Sequence, residues 1–236
     1  MQYTLPFAAE NPLLRIHGLL LDRFGPVPAC HRLDPVDMLV FAMLSGRTRD
    51  EIAMRTFVDL KAWLENWEQL AGMNPAAVEP LIADVTFAER KACHLPAALQ
   101  EIIRRRGALD LGFLAAWPVD EARHWLERLT GVGAKTSMAV LNLSSLHLRV
   151  LMVDTAHNRV ARRLGLVPQK ADIARTARLL NRCLPFCWTA DDTEDHHVLM
   201  QRLGRVLCVH ARPCCADCPL LATCRTAAAS APRRLS

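Results

Sequence analysis

Cys208, Cys215, Cys218 and Cys224 follow the spacing C-x6-C-x2-C-x5-C, which gathers four thiols into one short stretch of chain. Thiolates this close can close around a single metal centre, and these soft donors select zinc or an iron–sulphur cluster. Zinc sites usually pair two C-x2-4-C units. Here only Cys215 and Cys218 form such a unit, and the wide first gap suits the larger group. Cys214 stands beside a proposed ligand as a fifth thiol, and spacing alone does not choose between neighbours. The remaining Cys30, Cys93, Cys183 and Cys187 read as small buried hydrophobes. Five of nine cysteines between 208 and 224 argue for ligation over disulfides in a reducing compartment. That compartment is expected to be the cytoplasm, close to the nucleoid. No leader of basic, apolar and small residues is evident, and no uninterrupted apolar stretch could span a bilayer.

The rest of the chain reads as helix. It is 51% hydrophobic but only 6% aromatic, and Ala, Leu and Arg, which lose little freedom in a helix, dominate. Pro and Gly separate apolar patterns of helical period. The pattern predicts helices over Leu13–Phe24, Met38–Leu44, Asp50–Trp67, Pro75–Val85, Glu89–Arg105 with a break near Pro96, Val119–Leu129 and Ala134–Leu146. Thr155–Leu164, Ala171–Leu184 and Glu194–Leu207 complete the set. Only Arg149–Val153 resembles a strand, and the low-complexity tail Thr226–Ser236 is expected to be mobile. The fold class is all-α.

The net charge of +5 and pI near 8.8 fit a polyanionic partner, although many soluble proteins without such a partner share this excess. Lysine is rare, at Lys61, Lys91, Lys135 and Lys170 only. Lys135 follows Leu129-Thr130-Gly131-Val132-Gly133-Ala134, a tight G-V-G turn between two predicted helices. Glycines permit close backbone approach, and the free N–H groups of the next helix start favour a phosphate. In that first turn the helix dipole disfavours a second positive charge, which makes a neutral, nucleophilic amine easier to reach. The alternative is a lysine that holds phosphate as a point charge. Asp154, in Val153-Asp154-Thr155, is either a helix N-cap or a catalytic carboxylate. An amine and a carboxylate near a phosphate-binding hairpin point to chemistry on a nucleotide.

L-T-G-V-G-A-K-T at Leu129–Thr136, V-D-T at Val153–Thr155 with Arg159 and Arg163-Leu164-Gly165 behind it, and the cysteine pattern together resemble endonuclease III, a family of helix–hairpin–helix DNA glycosylases. The resemblance runs from about Leu13 to Cys224. It implies two helical domains with a DNA-binding cleft between them: a six-helix domain with the hairpin over 36–148, and an iron–sulphur domain from 1–35 and 149–236. It also implies a [4Fe-4S] cluster on Cys208, Cys215, Cys218 and Cys224, and as partner double-stranded DNA with a damaged base or abasic site. No membrane association follows, and a monomer is the default. Lys135 would attack the sugar's anomeric carbon of a flipped-out nucleotide, and Asp154 would stabilise the positive charge that develops there. The implied activity is removal of oxidised pyrimidines with strand cleavage through a Schiff base. A mismatch glycosylase and a non-catalytic cluster-bearing DNA binder are the rival readings.

The implied DNA contacts are Gly131, Val132, Gly133 and Thr136 in the hairpin, Arg47, Phe87 and Lys91 around two loops, and Arg212 between the first two cluster cysteines. Several positions depart from the family's pattern. Leu44-Ser45-Gly46-Arg47-Thr48-Arg49-Asp50 stands where L-S-A-Q-x-x-D is common. Arg47 replaces a gap-filling glutamine, and could read a facing guanine or hold a phosphate. Phe87 replaces an aliphatic residue, as either a stacking wedge or a core residue. Thr130 replaces a proline and Ala156 a histidine. These changes imply a divergent member with an altered substrate range.

Overall fold

The computed structural model describes residues 11–29 and 31–230, with side chains to 228. Twelve α-helices run through them: α1 Pro12–Phe24, α2 Pro35–Ser45, α3 Asp50–Trp63, α4 Trp67–Gly72, α5 Pro75–Val78, α6 Ala88–Arg106, α7 Val119–Glu127, α8 Ala134–Leu143, α9 Thr155–Leu164, α10 Ile173–Arg182, α11 Ala190–Val206 and α12 Arg225–Ser230. Short 3-10 turns supplement them. Among the described residues no strand forms, and the one isolated bridge joins Leu33 to Ser144. The fold is all-α, as the sequence pattern predicts.

Residues 31–152 form one compact unit, and 11–29 with 153–230 form the other. In the first, α2 is the central helix. Asp34 caps it, its side chain accepting from the Val36 N–H, and Pro35 opens it at a position where no donor is lost. Its residues Val36, Met38–Val40 and Ala42–Leu44 are all buried, because α3, α6 and α8 pack around it. In the second unit, α11 packs on α1 and α9. A capping box between Thr189 and Asp192 starts α11 four residues ahead of the predicted Glu194.

Several expectations need correction. Helix α6 is continuous through Pro96. The missing N–H costs one hydrogen bond, but Leu95, Pro96, Ala98, Leu99 and Ile102 bury one face, and α4 packs against the helix. The predicted Asp50–Trp67 is two helices, since Leu64 is extended and Asn66 caps α4. Val150–Val153 is buried and apolar without pairing as a strand. Cys93, Cys183 and Cys187 are exposed instead of buried. Cys93 faces away from the buried stripe of α6, and the other two lie beyond the end of α10. Cys30 lies outside the described residues. Thr226–Ser230 of the predicted tail belong to α12, and the rest of that tail lies outside the described residues.

Candidate active site

Helices α7 and α8 meet at the glycine hairpin. The Val132 N–H donates to the Leu129 carbonyl at 3.1 Å, and Val132 is buried beneath the turn while Gly131 and Gly133 are exposed. Gly131 has φ +79°, and a Cβ there would lie 2.7 Å from His94 Nδ1. No other residue meets both demands without strain. The Ser137 hydroxyl donates to Glu127 at 3.0 Å, and Arg123 binds the same carboxylate at 2.9 Å, which braces the two helices. Lys135 is half-buried in the first turn of α8, and Thr136 beside it is buried. Thr130, at the family's proline position, is exposed.

Thr136 and Gly131 line a pocket of about 270 Å³ together with Arg47, Phe87, Arg90, Lys91 and His94. Phe87 is 47% exposed, so it is not a core residue. Two guanidinium groups flank its ring, Arg47 at 5.7 Å and Arg90 at 5.1 Å from the centroid. Lys91 differs from expectation. It is buried, and its ammonium donates to the Leu44 carbonyl, to the Gly46 carbonyl at 2.9 Å and to the Thr48 hydroxyl at 2.9 Å. An ammonium has three donors, so none remains for a DNA phosphate. Burial, and then the charge of Lys135, push Lys91 down to about 8.

Asp154 lies in the other unit, where it caps α9. Oδ1 accepts from the His157 N–H at 2.7 Å and Oδ2 accepts from the Gln201 amide at 2.8 Å. Burial pushes its carboxyl up. His197, the His157 N–H and the Gln201 amide together outweigh that effect and hold it below the ordinary carboxylate value. The structure thus makes Asp154 a cap, and a buried, ionised one. Behind it lies a cluster that the sequence did not announce. The rings of His17, His157, His196, His197 and Trp188 follow one another with centroids 4.9 to 5.8 Å apart. Neither ring nitrogen of His196 has a hydrogen-bond partner.

Cys208, Cys215, Cys218 and Cys224 line one cavity of about 330 Å³ with Leu207, Leu221 and Cys214. Burial raises the Cys218 thiol, the Leu220 N–H partly offsets this, and the sulphurs of Cys208, Cys224 and Cys215 raise it further. The four proposed ligands are therefore electrostatic neighbours, in a space roomier than one tetrahedral ion needs. Arg163 donates to the Cys208 sulphur at 3.2 Å, and to the carbonyls of Val209 at 2.7 Å and His210 at 2.8 Å. This donor set fits an iron–sulphur cluster. Arg212 is exposed between the first two ligands. Gln201 and Arg90 contribute contacts that no sequence motif marks, while Thr48 and Arg163 lie inside quoted motifs that do not disclose their contacts. The one available signal is a polar Gln201 next to the apolar run Val198–Met200.

The profile of the HhH-GPD superfamily base excision DNA repair proteins matches residues 40–185. Endonuclease III of Bacillus subtilis is 27% identical over 210 residues, covering 87% of this chain and 90% of that protein. Endonuclease III of a Synechocystis species is 28% identical over 215 residues, covering 90% and 91%. A candidate DNA glycosylase of Arabidopsis thaliana is 33% identical over 150 residues, covering 64% of this chain but only about half of that plant protein, 51%. The match to a larger plant relative, DEMETER-like protein 2, spans 13% of its length. Among solved structures, a trapped endonuclease III–DNA covalent intermediate superposes with TM-score 0.76 at 22% identity, covering 94% of this chain and 99% of that one. A thermostable thymine-DNA glycosylase gives 0.73 at 16% identity, covering 92% and 97%. The chain belongs to the HhH-GPD superfamily of base excision DNA repair proteins.

Proposed function

We propose that this protein is a bifunctional DNA glycosylase of the endonuclease III type, excising oxidised pyrimidines from duplex DNA and then cleaving the strand at the abasic site. The observation that carries this reading is Lys135, half-buried in the first turn of α8 directly after the Gly131–Gly133 hairpin. With its amine neutral, the lone pair on Nζ attacks the anomeric carbon. The glycosidic bond breaks, and its electron pair leaves with the base, which takes up a proton. The nitrogen then loses a proton, the sugar ring opens to a Schiff base, and loss of the C2′ proton expels the 3′ phosphate. Asp154, ionised and fixed by its two donors, would stabilise the cationic sugar. The hairpin backbone and Arg212 would hold phosphates, and Arg47 and Phe87 would enter the gap left by the flipped nucleotide.

The four cysteines would hold a [4Fe-4S] cluster, whose part is to fix the loop that carries Arg212. The partner is double-stranded DNA, in keeping with endonuclease III–DNA complexes of the same fold. The test is borohydride trapping on duplex DNA with one abasic site. We expect a covalent adduct that disappears in Lys135→Ala. Failure to trap protein with its full iron content would leave a monofunctional glycosylase or a binder.

A further inference from the structure

Arg47 and Phe87 share a costly feature. Both are non-glycine residues in the left-handed region, with φ +57° and +62°. Such backbone persists only where the surroundings over-determine it. Both lie on exposed loop tips, and Arg47's guanidinium stacks over Phe87's ring. Neither tip is fixed by regular structure. Phe87 stands before the first residue of α6 without a side-chain cap, and Arg47 lies in the turn after α2.

One buried strut ties the two tips together. The Lys91 ammonium binds the carbonyls of Leu44 and Gly46 and the hydroxyl of Thr48, and so clamps the chain on both sides of Arg47. The same Thr48 hydroxyl accepts from the Thr86 N–H at 3.1 Å, the residue before Phe87. Lys91 lies one turn into α6, where its own N–H donates to the Phe87 carbonyl at 3.0 Å. Both tips are therefore held by Lys91 and Thr48, which are themselves buried.

We propose that Lys91 and Thr48 are positioning residues that lock Arg47, Phe87 and Arg90 into one composite probe for an unstacked gap in duplex DNA. The aromatic ring supplies the stacking face. The two guanidiniums bias it toward the polyanion and prevent it from folding down onto the protein. The proposal rests on the glycosylase reading above. It gives Lys91, whose ammonium donates to three groups within the protein, a role in substrate distortion.

The experiment uses the full chain and a duplex with a non-reactive abasic-site analogue opposite 2-aminopurine, whose fluorescence rises when it unstacks. At saturating wild-type protein we expect a strong rise, absent in Phe87→Ala. Lys91→Met and Thr48→Val should each lower the rise by roughly fivefold, as when a strained conformation loses its support. The double variant should be no worse than either single, since both remove one strut. Thr48→Val exchanges the hydroxyl for a methyl group of similar size and keeps the test decisive if Lys91→Met fails to fold. Folded variants with the full wild-type rise would overturn the proposal, as would a wild-type protein that traps abasic DNA without unstacking the reporter. Absence of both trapping and unstacking in the wild type would instead overturn the glycosylase reading itself.

Discussion

Gln201 reaches Asp154 from a different helix, and its amide hydrogen bond to Oδ2 is one of the reasons the carboxylate remains ionised while buried. Gln201→Leu keeps the volume and deletes the donor. Without that donor the acid limb of the pH–rate profile for base excision should move upward. An unmoved limb would mean that Asp154 does not titrate in the reaction. Stability responds in the matching direction. A carboxyl depressed by folding stabilises the protein above its unfolded value near pH 4, and the benefit fades as pH falls through the folded value. Gln201→Leu should shrink that benefit.

At the scale of elements, the hairpin between α7 and α8 tolerates little. Gly131→Ala would place a Cβ 2.7 Å from His94 Nδ1 at φ +79°. Strain and overlap together should cost about 2 kcal/mol or more, read as a lower urea midpoint at unchanged slope. This turn was fully legible in the sequence, because glycine spacing and the lysine that follows are local signals. So was α9, whose Asp154 cap stands directly before the first helical residue. The uninterrupted α6 was not legible. Proline argues locally for a break, and only burial of the face around it explains continuity. Lys91 misled for a similar reason: a lysine near a proposed interface reads as a phosphate contact, and nothing local announces that Gly46 and Thr48 fold back over it. The histidine cluster was invisible for want of a motif, since His17 and His196 are far apart in sequence but 5.6 Å apart between ring centroids.

For the whole molecule, those histidines set an acid limit. Burial lowers His157 to about 3, lowers His196 well below its ordinary value with the help of the neighbouring imidazoles, and lowers His17 as well. In the unfolded chain each would take up a proton near pH 6.5. Folding therefore holds them neutral at no cost above that pH, and loses stability steadily as pH falls from about 6.5 toward 3. Thermal unfolding at successive pH values, with iron content followed in parallel, should show a falling midpoint below about pH 6.5. A midpoint flat down to pH 5 would contradict the neutral state of His17, His157 and His196 in the folded protein.

The unit that contains them is assembled from both ends of the described chain, with a continuous segment between. Helix α1 rests on α11, Asn11 donates to the carbonyl of Cys183, and Arg202 donates to that of Phe24, across 172 and 178 residues of sequence. During synthesis α1 emerges early with its apolar stripe bare. The seven helices from α2 to α8 have their own partners within reach and can close while the ribosome is still working. Helix α1 is thus made before these seven helices and finds its place after them. Until α11 leaves the tunnel, Leu13, Ile16 and Leu20 are an exposed signal that the nascent polypeptide is unfinished.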